Sequence, residues 1–131
     1  MSEAAETGND RAAAGLALMR EMLGEDAVAR ITARNAIAPD WHRWTTEVLF
    51  GDLWQGSGLS RQQRSLVTVA ALIALNRPRE LGIHLRAALV NGLTPEDLVH
   101  VTQHVGFYAG WPAAGEALFA IRDVAASLER A

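Results

Sequence analysis

Apolar residues recur along this chain at the spacing of helix faces, and no segment shows the alternation of a half-buried β-strand. Between residues 12 and 23, Leu16, Met19 and Leu23 fall on one helix face, and Gly24 follows as a stop. The later stretch "SLVTVAALIAL" is apolar on nearly all sides, which predicts a buried central helix. The pattern predicts an all-α fold of about seven helices.

Local signals mark where several of these helices begin and end. Ser60-Arg61-Gln62-Gln63 has the S-x-x-Q spacing of a capping box, so the fourth helix is predicted to start there. Pro78 suits the first turn of a fifth helix, and Asn91-Gly92 suits its left-handed stop. Thr94-Pro95 then predicts an N-cap and a proline at the first position of a sixth helix.

The remaining helices have weaker boundary signals. Residues 25–36 predict a short second helix, and Pro112 predicts the start of a last helix that runs to about Leu128. Pro39-Asp40 opens the third helix, with Asp40 as candidate N-cap and an end near Trp54. The face predicted for this third helix includes Trp41, Trp44 and Val48.

Length and composition narrow the class of protein. A chain of 131 residues suits one domain, predicted as residues 12–131 after a flexible tail of residues 1–11. Half of the residues are hydrophobic, more than so short a chain easily buries, so we expect some apolar surface to lie between subunits of a homo-oligomer.

Charge and cysteine content exclude several functions. The net charge of −3 and the scattered arginines give no electrostatic footprint for nucleic acid. The absence of cysteine excludes disulfides, thiolate metal sites and thiol redox chemistry. The acidic, polar N-terminus lacks an export signal and no apolar run could span a bilayer, so we expect a cytoplasmic protein without membrane partners.

A carboxylate and an imidazole at helical spacing lie in the predicted fifth helix. Glu80 and His84 are four residues apart, so a carboxylate and an imidazole share one helix face beside the apolar stripe of Leu81, Leu85 and Ala88. This spacing fits a working acid–base pair, and it fits equally an ordinary contact on a solvated face. The residues of the pair leave both interpretations open.

Other polar and aromatic residues allow further hypotheses. His100 and His104 have the spacing of metal ligands, but no third ligand is evident, so no metal is predicted. His104, Tyr108 and Trp111 follow one another along one side of the sixth helix, where they could pack in a core or line a pocket. Arg64 could be solvated or could bind a carboxylate bidentately.

The motifs R-S-L, A-L-N-R-P, E-L-x-x-H, N-G-x-T and Y-A-G-x-P-A-A follow one another from Arg64 to Ala114. This succession resembles the γ-carboxymuconolactone decarboxylase family, and the resemblance covers roughly residues 15–124. It implies an alkylhydroperoxidase D-like helical fold assembled as a hexamer or a trimer. The peroxidase branch of that fold uses a C-x-x-C motif, which this chain lacks, so peroxidase activity is not expected.

The resemblance implies a reaction and roles for six residues. The decarboxylase branch converts 4-carboxymuconolactone to 3-oxoadipate enol-lactone and CO2 without a cofactor, in the β-ketoadipate pathway of aromatic degradation. His84, which matches the histidine of that branch, would act as the acid or as an electrophile toward the lactone oxygen. Glu80 would orient His84 and raise its pKa, and Arg64 would hold a substrate carboxylate. His104, Tyr108 and Trp111 would wall the pocket.

Several positions depart from what the family leads one to expect. His100 stands where glutamate is common and His104 where glutamine is common, while Trp111 is larger than the usual residue. These departures keep two alternatives open. One is an enzyme of the same scaffold that acts on a different lactone or oxo acid, and the other is a non-catalytic ligand-binding member of the family.

Overall fold

The computed structural model describes the backbone of residues 3–131 and the side chains of residues 8–131, and no strand occurs among them. The α-helices are α1 (Glu3–Leu23), α2 (Glu25–Thr32), α3 (Pro39–Arg43), α4 (Arg61–Ala74), α5 (Pro78–Val90), α6 (Pro95–Ala109) and α7 (Trp111–Glu129). A 3-10 helix, Ala33–Ala36, follows α2, and a π-helical segment, Trp44–Leu53, continues α3. The predicted all-α class is confirmed.

The chain divides into two compact units, Met1–Gly58 and Leu59–Ala131. The division predicted from the sequence, a tail of residues 1–11 and a domain of residues 12–131, stays a prediction. Residues 1 and 2 of that tail lie outside the described residues, and α1 already begins at Glu3, earlier than the predicted start at Ala12. None of the helices in the described part of the chain has the length and apolar character needed to cross a membrane.

In the first unit, α1 and the π-helical segment approach so closely that two glycines are needed between them. A Cβ atom on Gly15 would lie 1.9 Å from the carbonyl oxygen of Thr46. A Cβ atom on Gly51 would lie 2.6 Å from the carbonyl oxygen of Arg11. Arg11 also donates from Nε to Oδ1 of Asp52 over 2.9 Å. Any larger residue at either glycine would therefore push the two backbones apart.

The third predicted helix starts differently from the expectation. The N-cap residue is Ala38, and Pro39 occupies the first turn. The prediction of Asp40 as N-cap is therefore wrong. Asp40 lies inside the first turn, where a carboxylate interacts favourably with the helix dipole.

The same helix also changes its winding, which the sequence pattern did not predict. Over Trp44–Leu53 the backbone is π-helical, and the N–H of Trp54 donates to the carbonyl of Leu49, five residues earlier, over 3.0 Å. A pattern spaced for an α-helix assigns faces wrongly in such a segment, because the wider winding turns each side chain to a different direction. Trp41 and Trp44, predicted to share one face with Val48, are 57% and 53% exposed in the chain.

In the second unit, α4 packs against α5, α6 and α7, and α7 also packs against α5 and α6. The buried core contains Val69, Ile73, Leu81, Leu85, Ala88, Leu98, Ala114, Ala117 and Ile121. The predicted stripe of α5 is thus confirmed. The helix predicted as the buried central one, α4, does pack against three helices, but part of it is exposed within the chain, since Val67 on α4 and Leu75 at its end are each 62% exposed.

The predicted helix boundaries of this unit are confirmed at several positions. Ser60 accepts from the backbone N–H of Gln63 over 3.1 Å, and the Gln63 side chain accepts from the Ser60 N–H over 2.9 Å. Thr94 forms the equivalent capping box with Asp97 at the start of α6. Gly92 has φ 103°, the left-handed conformation expected of a residue just after a helix.

The Ser60 cap can be tested by substitution. Ser60→Ala removes the acceptor for one N–H of the first turn of α4, so the free energy of unfolding should fall by about 0.5–2 kcal/mol. Ser60→Asp should retain most of the stability, because aspartate is also a good N-cap residue. Urea denaturation at one fixed protein concentration measures both. Ser57→Ala, in the exposed loop before α4, is the matched control, and equal losses for Ser57→Ala and Ser60→Ala would contradict the capping role.

Candidate active site

The site is built around α5, whose sequence places one titratable ring beside an apolar stripe. Leu81 and Leu85 are buried against the core of the second unit, and His84 lies between them in sequence. Because neighbouring positions on a helix are about 100° apart, His84 falls at the edge of the buried stripe. It is half-buried, and its Nδ1 atom is fully buried within the chain.

Burial controls the protonation of His84. Removal from water lowers the pKa of His84 below its ordinary value of 6.5, and the nearby Glu80 carboxylate raises it to a smaller extent. The expected direction of the Glu80 effect is therefore present, but burial outweighs it, so the net result is a lowered pKa of His84. The physical reason is that Glu80 is exposed, so water screens its charge, while the imidazole is desolvated. The lowered pKa favours the uncharged imidazole of His84 at neutral pH.

Arg64 lies on α4, and one side-chain hydrogen bond fixes its position along α5. Asn91, just after α5, donates from Nδ2 to Oγ of Ser65 over 3.0 Å. This bond joins the start of α4 to the end of α5, so the two helices run antiparallel. His84 is seven residues before Asn91, which corresponds to about 10 Å along the helix axis. Arg64 and His84 therefore lie on neighbouring helices, at different heights along α5.

His104, Tyr108 and Trp111 lie where α6 ends and α7 begins. The rings of His104 and Tyr108 are 5.2 Å apart between centroids. The Trp111 ring covers Gly106, since a Cβ atom there would meet ring atom Cε3 at 3.0 Å. Tyr108 is nevertheless 84% exposed and Trp111 60% exposed. Within one chain these rings form an open surface, and the prediction that they wall a pocket remains a prediction.

Phe107 extends this aromatic surface and was not singled out from the sequence. Its ring lies 5.0 Å from that of Trp111, and it is 81% exposed. The sequence feature that indicates Phe107 is the spacing of residues 104, 107, 108 and 111, which places four rings on one side of α6 near its end. We call Phe107, Tyr108 and Trp111 the aromatic surface.

The two histidines with metal-ligand spacing have other surroundings. His100 Nε2 lies 3.8 Å from Oε1 of Glu96, one turn earlier on α6. Across the described residues, no group of three or more His, Asp or Glu side chains comes together in a way that could hold a metal ion. His100 and His104 are both exposed on α6.

The fold and the site together describe an all-helical protein with a neutral, half-buried histidine and an arginine set apart on the neighbouring helix. Residues 39–123 match the family described as "Carboxymuconolactone decarboxylase family". The chain belongs to this family, as the sequence motifs indicated.

Two relatives agree with that assignment. A 4-carboxymuconolactone decarboxylase of Acinetobacter baylyi is 39% identical over 111 residues, which cover 84% of this chain and 83% of that protein. A nitrosuccinic acid decarboxylase of Metarhizium robertsii is 34% identical over 106 residues, which cover 79% of this chain and 73% of that protein. Both are decarboxylases by name, so the predicted enzyme class, a carboxy-lyase, is confirmed.

The balance of burial and charge at His84 can be measured by NMR. The ring signals of His84 should titrate below pH 6.5, and Glu80→Gln should move that titration lower still by removing a charge that favours the imidazolium. Because the folded pKa lies below the unfolded one, the contribution of His84 to stability is lost as the pH falls below 6.5. Glu96→Gln, beside His100, is the control and should leave His84 unchanged. A titration of His84 that rises in Glu80→Gln would contradict this account.

Proposed function

We propose that the protein decarboxylates 4-carboxymuconolactone to 3-oxoadipate enol-lactone and CO2, a step in the β-ketoadipate pathway of aromatic degradation. The observation that carries the proposal is the desolvated, uncharged imidazole of His84 on the matched position of the family motif. A relative of this name that aligns with most of the chain supports the choice of substrate.

The reaction needs no electron acceptor other than the substrate. The bond between the lactone ring carbon and its carboxylate breaks, CO2 leaves, and the electron pair moves through the conjugated ring to the lactone carbonyl oxygen. A proton from water then reaches a ring carbon, so the overall reaction consumes one proton. What the protein must supply is a site that desolvates the departing carboxylate and stabilises the oxyanion.

His84 meets this need as a hydrogen-bond donor. Of the two roles predicted for it, acid or electrophile, the lowered pKa favours the electrophile, because an uncharged imidazole at neutral pH is a poor source of protons but still has one N–H group. A neutral imidazole of lowered pKa stabilises enolate-like oxygens in other enzymes. We assign the donor to Nε2, because Nδ1 is buried within the chain.

Glu80 and Arg64 complete the proposed site. Glu80 orients His84 and partly offsets the burial that lowers its pKa. Arg64 holds the second carboxylate of the substrate, which does not leave. The separation along α5 suits this division of roles, because one end of the substrate meets the guanidinium while the other meets the imidazole.

A second candidate substrate is nitrosuccinic acid. It also carries two carboxylates, and its nitro group can accept the electron pair left by CO2, as the lactone carbonyl does. The relative named for this substrate supports it, and so do Trp111 and His100, which depart from the residues common in family decarboxylases. Another lactone or oxo acid would use the same site in the same way, while a non-catalytic member of the family would turn over none of these compounds.

The proposal includes assembly and location. We propose a cytoplasmic homo-oligomer, a hexamer or a trimer, in which the aromatic surface of one subunit is covered by another. The three exposed rings where α6 ends and α7 begins, of which those of Phe107 and Trp111 are in contact, support this, because apolar patches of this kind usually mark contact surfaces.

The substrate assignment is tested by incubating the protein with 4-carboxymuconolactone and following CO2 release. His84→Ala removes the donor and should lower kcat/KM by about 10²–10³-fold, as expected for loss of one oxyanion donor. His84→Gln keeps an N–H donor at this position and should retain more activity than His84→Ala. Gln103→Ala, at an exposed position on α6, is the control and should keep the rate of wild type. Activity of His84→Ala near that of wild type would remove His84 from the mechanism. Turnover of nitrosuccinic acid alone would favour the second candidate, and turnover of neither would refute both assignments.

The assembly is tested by light scattering, which gives the molecular mass in solution. Phe107→Glu places a charge in the aromatic surface, so it should lower the mass toward that of a single chain, because burying an unpaired carboxylate costs several kcal/mol. Gln103→Glu, on an exposed position of the same helix, adds the same charge as a control and should keep the mass of wild type. A Phe107→Glu variant with unchanged mass would show that this surface is not an interface.

A further inference from the structure

The three buried polar residues among those that the structure describes differ in the location of their hydrogen-bond partners. Thr102 donates to the carbonyl of Leu98, four residues earlier in its own helix, over 2.8 Å. Thr46 likewise bonds to backbone carbonyls of the preceding turn. Ser65 is only 1% exposed, and it accepts a hydrogen bond from Asn91, which is 26 residues away on another helix. Ser65 therefore joins two elements, whereas the two threonines act within one.

The segments on both sides of this hydrogen bond lie close to each other. Gly92, with φ 103°, lies so close to α4 that a Cβ atom there would be 2.6 Å from Nε2 of Gln62. The capping box of Ser60 and Gln63 fixes the start of α4. The end of α5 thus packs against the first turn of α4 at a seam defined by Asn91, Gly92, Gln62 and Ser65.

Arg64 lies at this seam, directly before Ser65. Its backbone carbonyl accepts from the hydroxyl of Thr68 over 2.8 Å, and its Nε atom is buried. The N–H of Arg64 also donates to the carbonyl of Ser60 over 2.9 Å, so the backbone from which the Arg64 side chain extends is fixed in the first turn of α4. That turn is attached through Ser65 to the same rigid helix that carries His84, about 10 Å from Asn91 along its axis.

We propose that Asn91 is a positioning residue, which acts through Ser65 and Arg64 to fix the distance between the guanidinium and the imidazole of His84. The inference rests on the proposed function, because Arg64 is taken to hold the carboxylate that stays on the substrate. The Asn91–Ser65 bond then selects dicarboxylates in which the spacing from that carboxylate to the electron-accepting oxygen matches the distance between the two helices.

The kinetic experiment uses 4-carboxymuconolactone and the whole chain. Asn91→Ala should raise KM about three- to tenfold, the value of one hydrogen bond, with kcat changed less than twofold. Ser65→Ala removes the other partner of the same hydrogen bond and changes the shape of the side chain less. It should therefore raise KM by a similar factor, and it provides the test if Asn91→Ala folds poorly. In an Arg64→Ala background, Asn91→Ala should have no further effect on KM, because the group that it positions is gone.

The control is Thr102→Ala. It also removes a buried hydroxyl and should cost comparable stability, but its hydrogen bond stays within α6, so KM should be that of wild type. An increase in KM for Thr102→Ala equal to that for Ser65→Ala would show only that the whole fold has become less rigid, and it would overturn the proposal. The proposal would also be overturned if Asn91→Ala raised KM as much in the Arg64→Ala background as in wild type.

A second readout does not depend on turnover. The Arg64 Nε–H, which is buried, should exchange with water faster in Asn91→Ala and in Ser65→Ala than in wild type or Thr102→Ala, as measured by NMR. If wild type fails to decarboxylate the lactone while this exchange still accelerates, the substrate assignment fails and the positioning role stands. If exchange is unchanged in both variants, the positioning role fails, whatever the substrate proves to be.

Discussion

The removal of one imidazole from water is the constraint on which the site depends. His84 lies at the edge of the buried stripe of α5, and the packing of Leu81 and Leu85 into the core holds its backbone there. Burial disfavours the charged ring more than the exposed Glu80 favours it, so the pKa of His84 is lowered. An uncharged ring can donate a hydrogen bond to an oxyanion without first losing a strong interaction with water, which is the condition for stabilising a transition state more than a ground state.

The second constraint is the register between α4 and α5. A neutral donor is useful only if the substrate presents its oxygen to that donor, and the geometry of two antiparallel helices allows this through Arg64. The hydrogen bond from Asn91 to Ser65 holds the two helices in this register. In the function that we propose, the chemistry and the specificity of the site are carried by different helices, each supported by the same small core.

The sequence predicted most reliably what local interactions decide. The capping box at Ser60, the N-cap at Thr94 and the stop at Gly92 were predicted correctly, because each depends on a few neighbouring residues. The π winding after Trp44 was missed, because the spacing of apolar residues within the segment does not distinguish it from an α-helix. The lowered pKa of His84 was missed for a similar reason. The Glu80 effect is visible at i,i+4, but the burial that outweighs it comes from tertiary packing.

The dependence of kcat/KM on pH tests the central claim most directly, because it reports the protonation state of the free enzyme that reacts. With an uncharged His84 as the donor, kcat/KM for 4-carboxymuconolactone should be as large at pH 8 as at pH 6.5, the ordinary pKa of histidine. A rate that falls about tenfold for each pH unit above that value would show that the imidazolium is required. Such a profile would contradict the account of His84 as a neutral electrophile.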